Sequence, residues 1–107
     1  MSRAVIIRTD GTKEAIEYTE ETASRVLTDA VGGYFERVRV GYAFMWLNEE
    51  GKIHGLPINA IATDLFEQFY GDVDIIAGDV ILTGLDGPEG ETLGLSNEME
   101  DYFLATP

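Results

Sequence analysis

Few side chains in this sequence are of the types that carry out catalysis. His54 is the one histidine, and the chain has no cysteine. A lone histidine can act as a general base, but more often it is an ordinary residue beside a turn. Without cysteine there is no thiolate nucleophile and no cysteine-based metal site. We therefore predict no catalytic residue, no metal site and no cofactor, and we expect a protein that is not an enzyme.

Carboxylates cluster in two segments of the second half of the chain. Asp72 and Asp74 are separated by one residue, and residues 86–91 contain one Asp and two Glu. Calcium favours oxygen ligands in loops of this kind, but the EF-hand spacing is missing, and the glycines follow neither the dinucleotide-binding nor the P-loop spacing. No lysine or arginine follows Lys52, which also disfavours phosphate binding. We interpret residues 84–95 as a flexible acidic loop.

Two arginines lie on one side of a predicted strand. Residues 34–40 alternate in character, so that Phe35, Arg37 and Arg39 share one face. The arginine pair could bind a phosphate or a carboxylate, or it could form ion pairs with acids across the sheet. Aromatic residues beside arginine are typical of the centres of protein interfaces. We therefore favour a protein interface at these three residues over a ligand site.

Four polar residues lie in or beside the start of a predicted helix and the turn before it: Asn48, Asn59, Thr63 and Asp64. In one interpretation they line a polar pocket, where the helix N-terminus binds an anion or a carbonyl group. In the other, Asn59 caps the helix, Asn48 begins a turn, and the remaining two fill the first helical turn. Helix caps are common, so the second interpretation is favoured.

The charge of the chain is its strongest compositional feature. Twenty acids against seven bases give a net charge of −13. All seven bases lie within the first 52 residues, whereas residues 53–107 contain eleven acids and no base. Such a field repels nucleic-acid phosphates and anionic lipids, so we expect no direct nucleic-acid binding and no membrane binding. Solubility, a basic partner and adaptation to high salt are three explanations that the sequence leaves open.

An aromatic stripe lies along one predicted strand. Tyr42, Phe44 and Trp46 alternate along a predicted strand. Such a stripe can stack nucleic-acid bases, but the net charge opposes this, so we predict that the stripe packs in the core.

No apolar run approaches the roughly 20 residues that span a bilayer, and the N-terminal run is too short for a signal peptide. We therefore expect a cytoplasmic protein.

The first part of the chain predicts a hairpin followed by a helix. Strands are predicted at residues 4–7 and 13–18, because β-branched and alternating residues frame the turn signal Asp10-Gly11. An amphipathic helix follows, with Thr19 as its N-terminal cap and Gly32-Gly33 as its stop.

The rest of the chain predicts further strands and two more helices. These are strands at 34–40, 42–47, 52–54 and 74–83, a helix from Asn59 to Gly71, and a short helix capped by Ser96. Because most strands are joined by hairpins, the helices should lie on one face of the sheet. We predict a single α+β domain over residues 1–107, with a mixed or antiparallel sheet of about five to six strands, two amphipathic helices and a short C-terminal helix.

Four segments in a fixed order resemble an uncharacterised family. They are Gly-Gly-Tyr-Phe-Glu-Arg-Val at 32–38, Leu-Asn-Glu-Glu-Gly-Lys at 47–52, Leu-Pro-Ile-Asn-Ala-Ile-Ala-Thr at 56–63 and Ile-Ala-Gly-Asp-Val at 76–80. The stretch from Gly32 to Gly84 resembles domain-of-unknown-function family 3846, which is found in phages, plasmids and their bacterial or archaeal hosts. The resemblance implies an accessory protein of a mobile element. It implies no reaction, no cofactor and no catalytic residue.

These observations lead to a ranked set of hypotheses. The first is a non-enzymatic binding protein of a phage or other mobile element, which modulates a host factor by protein–protein contact and forms a small homo-oligomer. A variant of it is an acidic DNA mimic, whose carboxylates imitate phosphates from one face. The second is a protein that binds or sequesters a small nucleotide-like ligand, with Arg37, Arg39, Asn59 and Thr63 as its contacts. An enzyme ranks last, because it needs a cleft that gathers His54 with two carboxylates.

Overall fold

Two hairpins, a lone strand and three helices make up the fold, and the computed structural model describes residues 1–105. The elements are, in chain order, β1 (Ser2–Ile7), β2 (Lys13–Tyr18), α1 (Ala23–Val31), β3 (Phe35–Val40), β4 (Ala43–Asn48), α2 (Ala60–Tyr70), β5 (Val80–Thr83) and α3 (Asn97–Ala105). The five strands form one antiparallel sheet in the order β2-β1-β5-β4-β3. The predicted α+β domain with an antiparallel sheet is therefore confirmed.

The first hairpin forms because the residues between β1 and β2 suit a tight turn. The Asp10 carboxylate accepts hydrogen bonds from the backbone N–H and the hydroxyl of Thr12, at 2.9 and 2.7 Å. Gly11 adopts a φ of +88°, which glycine takes without steric cost. β1 also pairs with β5, and β5 pairs with β4. The last strand in the sequence therefore lies at the centre of the sheet and joins the two hairpins.

The helices cover both faces of the sheet, which corrects the prediction that they lie on one face. Leu27 of α1 packs with Trp46 and Ile81 in one apolar cluster. Leu65 of α2 and Phe103 of α3 belong to a second cluster on the opposite face. The prediction was wrong because β4 is an almost continuous apolar run, and both sides of such a strand need cover. The two sides are named here the α1 face and the α2/α3 face.

The caps of α2 and α3 are those that the sequence predicted. The Asn59 side chain accepts a hydrogen bond from the Ala62 N–H at 3.1 Å. The Ser96 hydroxyl accepts one from the Met99 N–H, also at 3.1 Å. α2 ends at Gly71, whose N–H bonds back into the last turn of the helix. Each cap satisfies backbone groups that the helix end leaves without partners.

The N-terminus of α1 lies later than predicted. Thr19 and Thr22 exchange hydrogen bonds between their hydroxyls and backbone N–H groups, at 3.0 and 3.2 Å. These reciprocal bonds close a turn before the helix, and the regular helix begins only at Ala23, with Thr22 as its N-cap. Gly32 ends the helix with a φ of +79°, as predicted.

Two predicted strand segments are irregular within the described residues. Residues 52–54 form a turn, and residues 74–79 precede β5 without regular strand structure. Part of this second segment bonds to α2 instead of to the sheet, since the Thr63 hydroxyl accepts a hydrogen bond from the Ile76 N–H at 2.9 Å. The strand is therefore limited to the four residues of β5.

The acidic segment at residues 84–95 is held to the sheet, contrary to the expectation of a flexible loop. The Tyr18 hydroxyl donates a hydrogen bond to the Leu93 carbonyl at 2.9 Å. The start and the end of the loop also touch: a Cβ on Gly84 would lie 2.3 Å from the Gly94 carbonyl oxygen. Glycine at this position therefore allows the loop to close on itself.

Candidate functional site

Arg37 is the centre of a polar cluster on the α1 face. Its guanidinium donates to both carboxylate oxygens of Asp86, at 2.7 and 2.9 Å. The same group lies 4.0 Å from the ring centroid of Phe44 and 5.3 Å from that of Trp46, which is cation–π geometry. The Arg37 guanidinium holds the pKa of the Asp86 carboxyl below its ordinary value. Arg37 thus fastens the loop at residues 84–95 to β3.

Phe35 and Arg39 lie on the same face as Arg37, as the alternation predicted. The Phe35 ring packs edge-on against Trp46, with centroids 5.3 Å apart. The exposed Arg39 donates from Nε to the Gly41 carbonyl at 2.8 Å, so its guanidinium folds back along its own strand. The three predicted residues share a face without converging on one cavity. An interface role for them stays a prediction.

Asn59 is buried beneath the N-terminus of α2, with 1% of its surface exposed. Besides capping the helix, its Nδ2 donates to the carbonyls of Ile7 and Gly78, at 2.9 and 3.0 Å. Thr63, which is also buried, uses its hydroxyl to bond the backbone of the segment before β5. The side-chain polar groups of both residues are therefore engaged within the fold, in agreement with the structural interpretation.

Asn48 and Asp64 take no part in those hydrogen bonds. The Asn48 Nδ2 donates to the Val31 carbonyl at 3.1 Å, and its Oδ1 accepts from the Glu50 N–H at 2.8 Å. These bonds tie the end of α1 to the turn after β4. Asp64 is exposed on α2. The four polar residues singled out in the sequence therefore do not line one pocket.

A cleft of about 310 Å³ opens on the α2/α3 face between β3, the turn after β4 and the middle of α2. Its walls are largely apolar, and its polar lining includes three carboxylates and one ammonium group. Lys52 pairs with Asp74 at this cleft and, together with the Ile75 N–H, keeps the pKa of the Asp74 carboxyl below its ordinary value. The charged lining residues are Glu36, Glu49, Lys52 and Asp74. Such a balance of charge disfavours an anionic ligand such as a nucleotide phosphate.

A second cavity, of about 290 Å³, is lined almost wholly by apolar groups. It lies where the β3–β4 turn meets the last turn of α2 and one side of α3. Phe69 packs closely against Gly41, where a Cβ would lie 3.2 Å from the ring. We name this cavity the aromatic groove, and its residues are Val40, Gly41, Tyr42, Phe69, Met99, Tyr102 and Phe103.

The aromatic groove presents large rings to solvent. Tyr42 is 76% exposed, Tyr102 52% and Phe69 51%. The exposure of Tyr42 corrects the prediction that the whole stripe of β4 packs in the core, since Trp46 is buried but Tyr42 is not. The physical reason is that Tyr42 follows Gly41 in the turn between β3 and β4, before the strand begins.

His54 shows no catalytic arrangement. It is exposed, and its Nε2 lies 4.0 Å from a carboxylate oxygen of Glu50. Over residues 1–105, no three His, Asp or Glu side chains are grouped in a way that could hold a metal ion. No helix in that part of the chain has the length and apolar character needed to cross a membrane.

Comparison with known protein families assigns the chain to one of them. A family model matches residues 1–106, which includes the segments on either side of Gly32 to Gly84. The chain belongs to the DUF3846 family. The family is described as a domain of unknown function. A search of the curated proteins and a search of the solved structures each return no significant match. Membership of DUF3846 confirms the resemblance and extends it over almost the whole chain.

Sequence reasoning on this DUF3846 domain missed the aromatic groove. None of the candidate binding residues predicted from the sequence lines it. Two signals could have found the groove. Phe69 and Tyr70 continue the apolar face of α2 to its last residue, and Tyr102 begins a run of four apolar residues in the short helix α3. Such an excess of apolar surface at helix ends indicates rings that no other element covers.

The acids of the second half of this DUF3846 domain are spread over the molecule. Asp86 lies on the α1 face, where it pairs with Arg37. Glu100 lies on the opposite side, where its carboxylate accepts from the Arg3 Nε at 2.8 Å. Asp64 is exposed on α2. This distribution gives no support to a DNA mimic that presents its carboxylates from one face.

Proposed function

We propose that this chain is a non-enzymatic binding protein of a phage or other mobile element, which modulates a host factor by protein–protein contact. The aromatic groove is the observation that carries the proposal. The mobile-element origin is part of the same proposal and rests on the sequence resemblance.

An exposed apolar groove of this kind is a binding feature. Single exposed apolar residues are ordinary, but contiguous exposed apolar patches mark interaction sites. Tyr42 and Phe69 come from two different elements and face one cavity, together with α3. Aromatic rings also dominate the energy of protein interfaces, because they bury a large area with few rotatable bonds. The groove therefore suits one apolar anchor residue of a partner.

The negative charge of the molecule favours a partner with basic residues. The net charge is −13, and the acids Glu98 and Asp101 are exposed on α3 next to groove residues. A partner that carries basic residues beside its apolar anchor is attracted by this field. A second copy of the chain carries the same −13 and is repelled by it. A basic host protein is therefore favoured over a homo-oligomer.

A photo-crosslinking experiment tests this function. Tyr42 is replaced by benzoylphenylalanine, an aromatic residue that crosslinks on illumination, and the protein is expressed in the host. We expect crosslinks to one host protein through position 42, and their loss when Phe69 is also changed to Ser. The matched control carries benzoylphenylalanine at Leu93, which is also exposed but lines neither the groove nor the cleft beside β3.

The outcomes separate the alternatives. Equal crosslinking from positions 93 and 42 contradicts a specific groove, and so does the absence of crosslinks. Crosslinks between copies of this chain establish the homo-oligomer instead. The proposal stands only if position 42 captures a host protein that position 93 does not.

The other hypotheses have weaker support. A nucleotide-like ligand bound through Arg37, Arg39, Asn59 and Thr63 requires these residues to converge, but the two arginines lie on the α1 face and the other two are buried at α2. The 310 Å³ cleft carries more negative than positive charge, which disfavours phosphates.

A further inference from the structure

β3 forms one edge of the sheet, and its outward backbone groups can be identified. The Glu49 N–H donates to the Tyr34 carbonyl at 3.1 Å, so Tyr34 bonds toward β4. Residues of an antiparallel strand bond alternately to one side and the other. The even-numbered residues of β3 therefore bond to β4, whereas Phe35, Arg37 and Arg39 direct their N–H and C=O groups away from the sheet. An independent contact agrees with this, since the Tyr70 hydroxyl donates to the Arg39 carbonyl.

The edge of β3 is left accessible by its own side chains. Charged side chains usually protect the edge of a sheet from pairing with other strands. Here Arg37 is drawn onto the rings of the α1 face and to Asp86, and Arg39 folds back to Gly41. Among residues 1–105 no strand lies beyond β3. The outward backbone groups of Phe35 and Arg37 and the outward N–H of Arg39 are therefore open to another chain, whereas the Arg39 carbonyl is already bonded to the Tyr70 hydroxyl.

The 310 Å³ cleft lies directly beside this edge. Glu36 and Val38, the middle even-numbered residues of β3, both line it. A strand added to β3 places every second side chain over the cleft, as in other complexes where a peptide extends a sheet. The aliphatic stem of lysine or arginine suits the apolar walls, and its charge suits the carboxylates of Glu36 and Glu49.

A second copy of β3 is a poor occupant of this edge. The hydrogen-bonding pattern allows only registers in which outward residues face outward residues. Near the centre of the strand, these registers place Arg37 opposite Arg37 or Arg39 of the other copy, or Glu36 opposite Glu36. Like charges directly opposite each other destabilise strand pairing. The edge therefore favours a foreign strand.

We propose that β3 accepts an extended basic segment of a partner protein as a sixth, antiparallel strand, with lysine or arginine at every second position over the cleft. The inference rests on the proposed function, because it names the conformation and chemistry of the partner segment. The antiparallel direction follows from the sheet, in which every pair of neighbouring strands is antiparallel. The residues between the basic positions share the α1 face with Arg37 and Arg39, so they must be uncharged or acidic.

Three synthetic peptides of identical charge test the proposal. The parent is acetyl-Lys-Val-Lys-Val-Lys-Val-Lys-amide. One variant is N-methylated at the backbone nitrogens of the valines, and the other at the backbone nitrogens of the two inner lysines. In the proposed register the valines bond to β3 and the lysines lie over the cleft. We expect the parent to slow hydrogen exchange at the Phe35, Arg37 and Arg39 amides. Methylation of the valines should weaken binding by about tenfold or more, because main-chain bonds are lost, while methylation of the lysines leaves it within about twofold.

The contrary outcomes are distinct. Equal binding by all three peptides means attraction to charge without strand addition. Weaker binding after lysine methylation means that the lysine backbone groups face β3, because the peptide binds through its opposite edge or as a parallel strand. No slowed exchange at the three amides also overturns the proposal.

Among protein variants, Glu36→Gln should weaken binding of the parent peptide about threefold, which is the change expected for one exposed charge pair. The matched control Glu20→Gln removes an exposed acid elsewhere and should not.

The proposed function is tested separately. Tyr42→Ser should leave peptide binding at β3 unchanged, because Tyr42 belongs to the aromatic groove and not to the cleft. If position 42 crosslinks to a host protein but the peptides fail at β3, only the strand-addition inference is lost. If neither surface binds, both proposals are overturned.

Discussion

The two faces of the sheet are closed in different ways. The α1 face has one helix, and the loop at residues 84–95 completes the cover through polar contacts from Tyr18 and Arg37. The α2/α3 face has two helices, which pack mainly through apolar contacts and leave the aromatic groove between them. The comparison shows that most of the polar residues that looked like a site serve to close the fold. The groove left between the two helices is lined almost wholly by apolar groups.

The largest effect is expected on the α2/α3 face from Asn59→Ala. The substitution removes the cap of α2 and leaves the carbonyls of Ile7 and Gly78 without their side-chain donor. We expect a loss of about 3 kcal/mol in the free energy of unfolding, from urea denaturation. Asp64→Asn on the same helix is the control and should change it by less than about 0.5 kcal/mol. Similar values for the two variants would mean that Asn59 does not tie α2 to the sheet.

On the α1 face, Tyr18→Phe should have a smaller effect and a clear pH dependence. The hydroxyl that fastens the loop is lost, at a cost of about 1 kcal/mol at neutral pH. Burial raises the pKa of the Tyr18 phenol to about 12. This raised pKa means that the neutral phenol stabilises the fold fully below pH 10 and that the contribution is lost as pH rises toward 12.

Unfolding midpoints measured between pH 9 and 12, a range chosen to bracket this pKa, check that prediction. The wild-type protein should lose stability over the range more steeply than Tyr18→Phe. Parallel curves for the two proteins would show that the phenol is not shielded from water, and the account of how the α1 face is closed would be wrong.

The Arg37–Asp86 pair should contribute less, because both groups are partly exposed. The pKa of Asp86 is lowered in the folded protein, so the contribution is present above the ordinary carboxyl pKa and is lost as pH falls through the lowered value. Asp86→Asn should therefore be less stable than the wild type at pH 7 and equally stable in strong acid. A stability difference that persists in acid would assign the effect to packing, not to charge.

The smallest change in stability is expected from Tyr42→Ser in the aromatic groove. Tyr42 is 76% exposed, so the free energy of unfolding should stay within about 0.5 kcal/mol of the wild-type value. The same variant should abolish the host crosslink formed from a second groove position, such as benzoylphenylalanine at Tyr102. A destabilisation above about 1 kcal/mol would show that the ring is packed and would remove the contrast between the two faces.

Local signals in the sequence were sufficient where the contact partners are close in the chain. Asp10 bonds to Thr12 two residues away, and Asn59 bonds to Ala62 three residues away. The first hairpin and the start of α2 were therefore predictable from turn and cap chemistry alone. The same reasoning explains why Gly71 was correctly placed at the end of α2.

Contacts between distant residues account for what was missed. Residues 74–79 have the composition of a strand, but Thr63 bonds their backbone to α2 from outside the segment. The loop at residues 84–95 is rich in Gly and acids, but Tyr18 and Arg37 hold it from more than 40 positions away. Neither partner could be inferred from the periodicity of the segment itself. The aromatic groove was missed for a related reason, because it needs three elements to meet.

The central position of β5 has a consequence for folding during synthesis. Within the sheet, β1 and β4 are joined only through β5, which leaves the ribosome after the other four strands. A lone two-stranded hairpin is marginally stable in water, so the two hairpins made earlier have little to hold them. The emerging chain should therefore stay protease-sensitive until residues 80–83 are exposed, and then close in one late step. A nascent chain of this kind offers chaperones a long interval in which to bind.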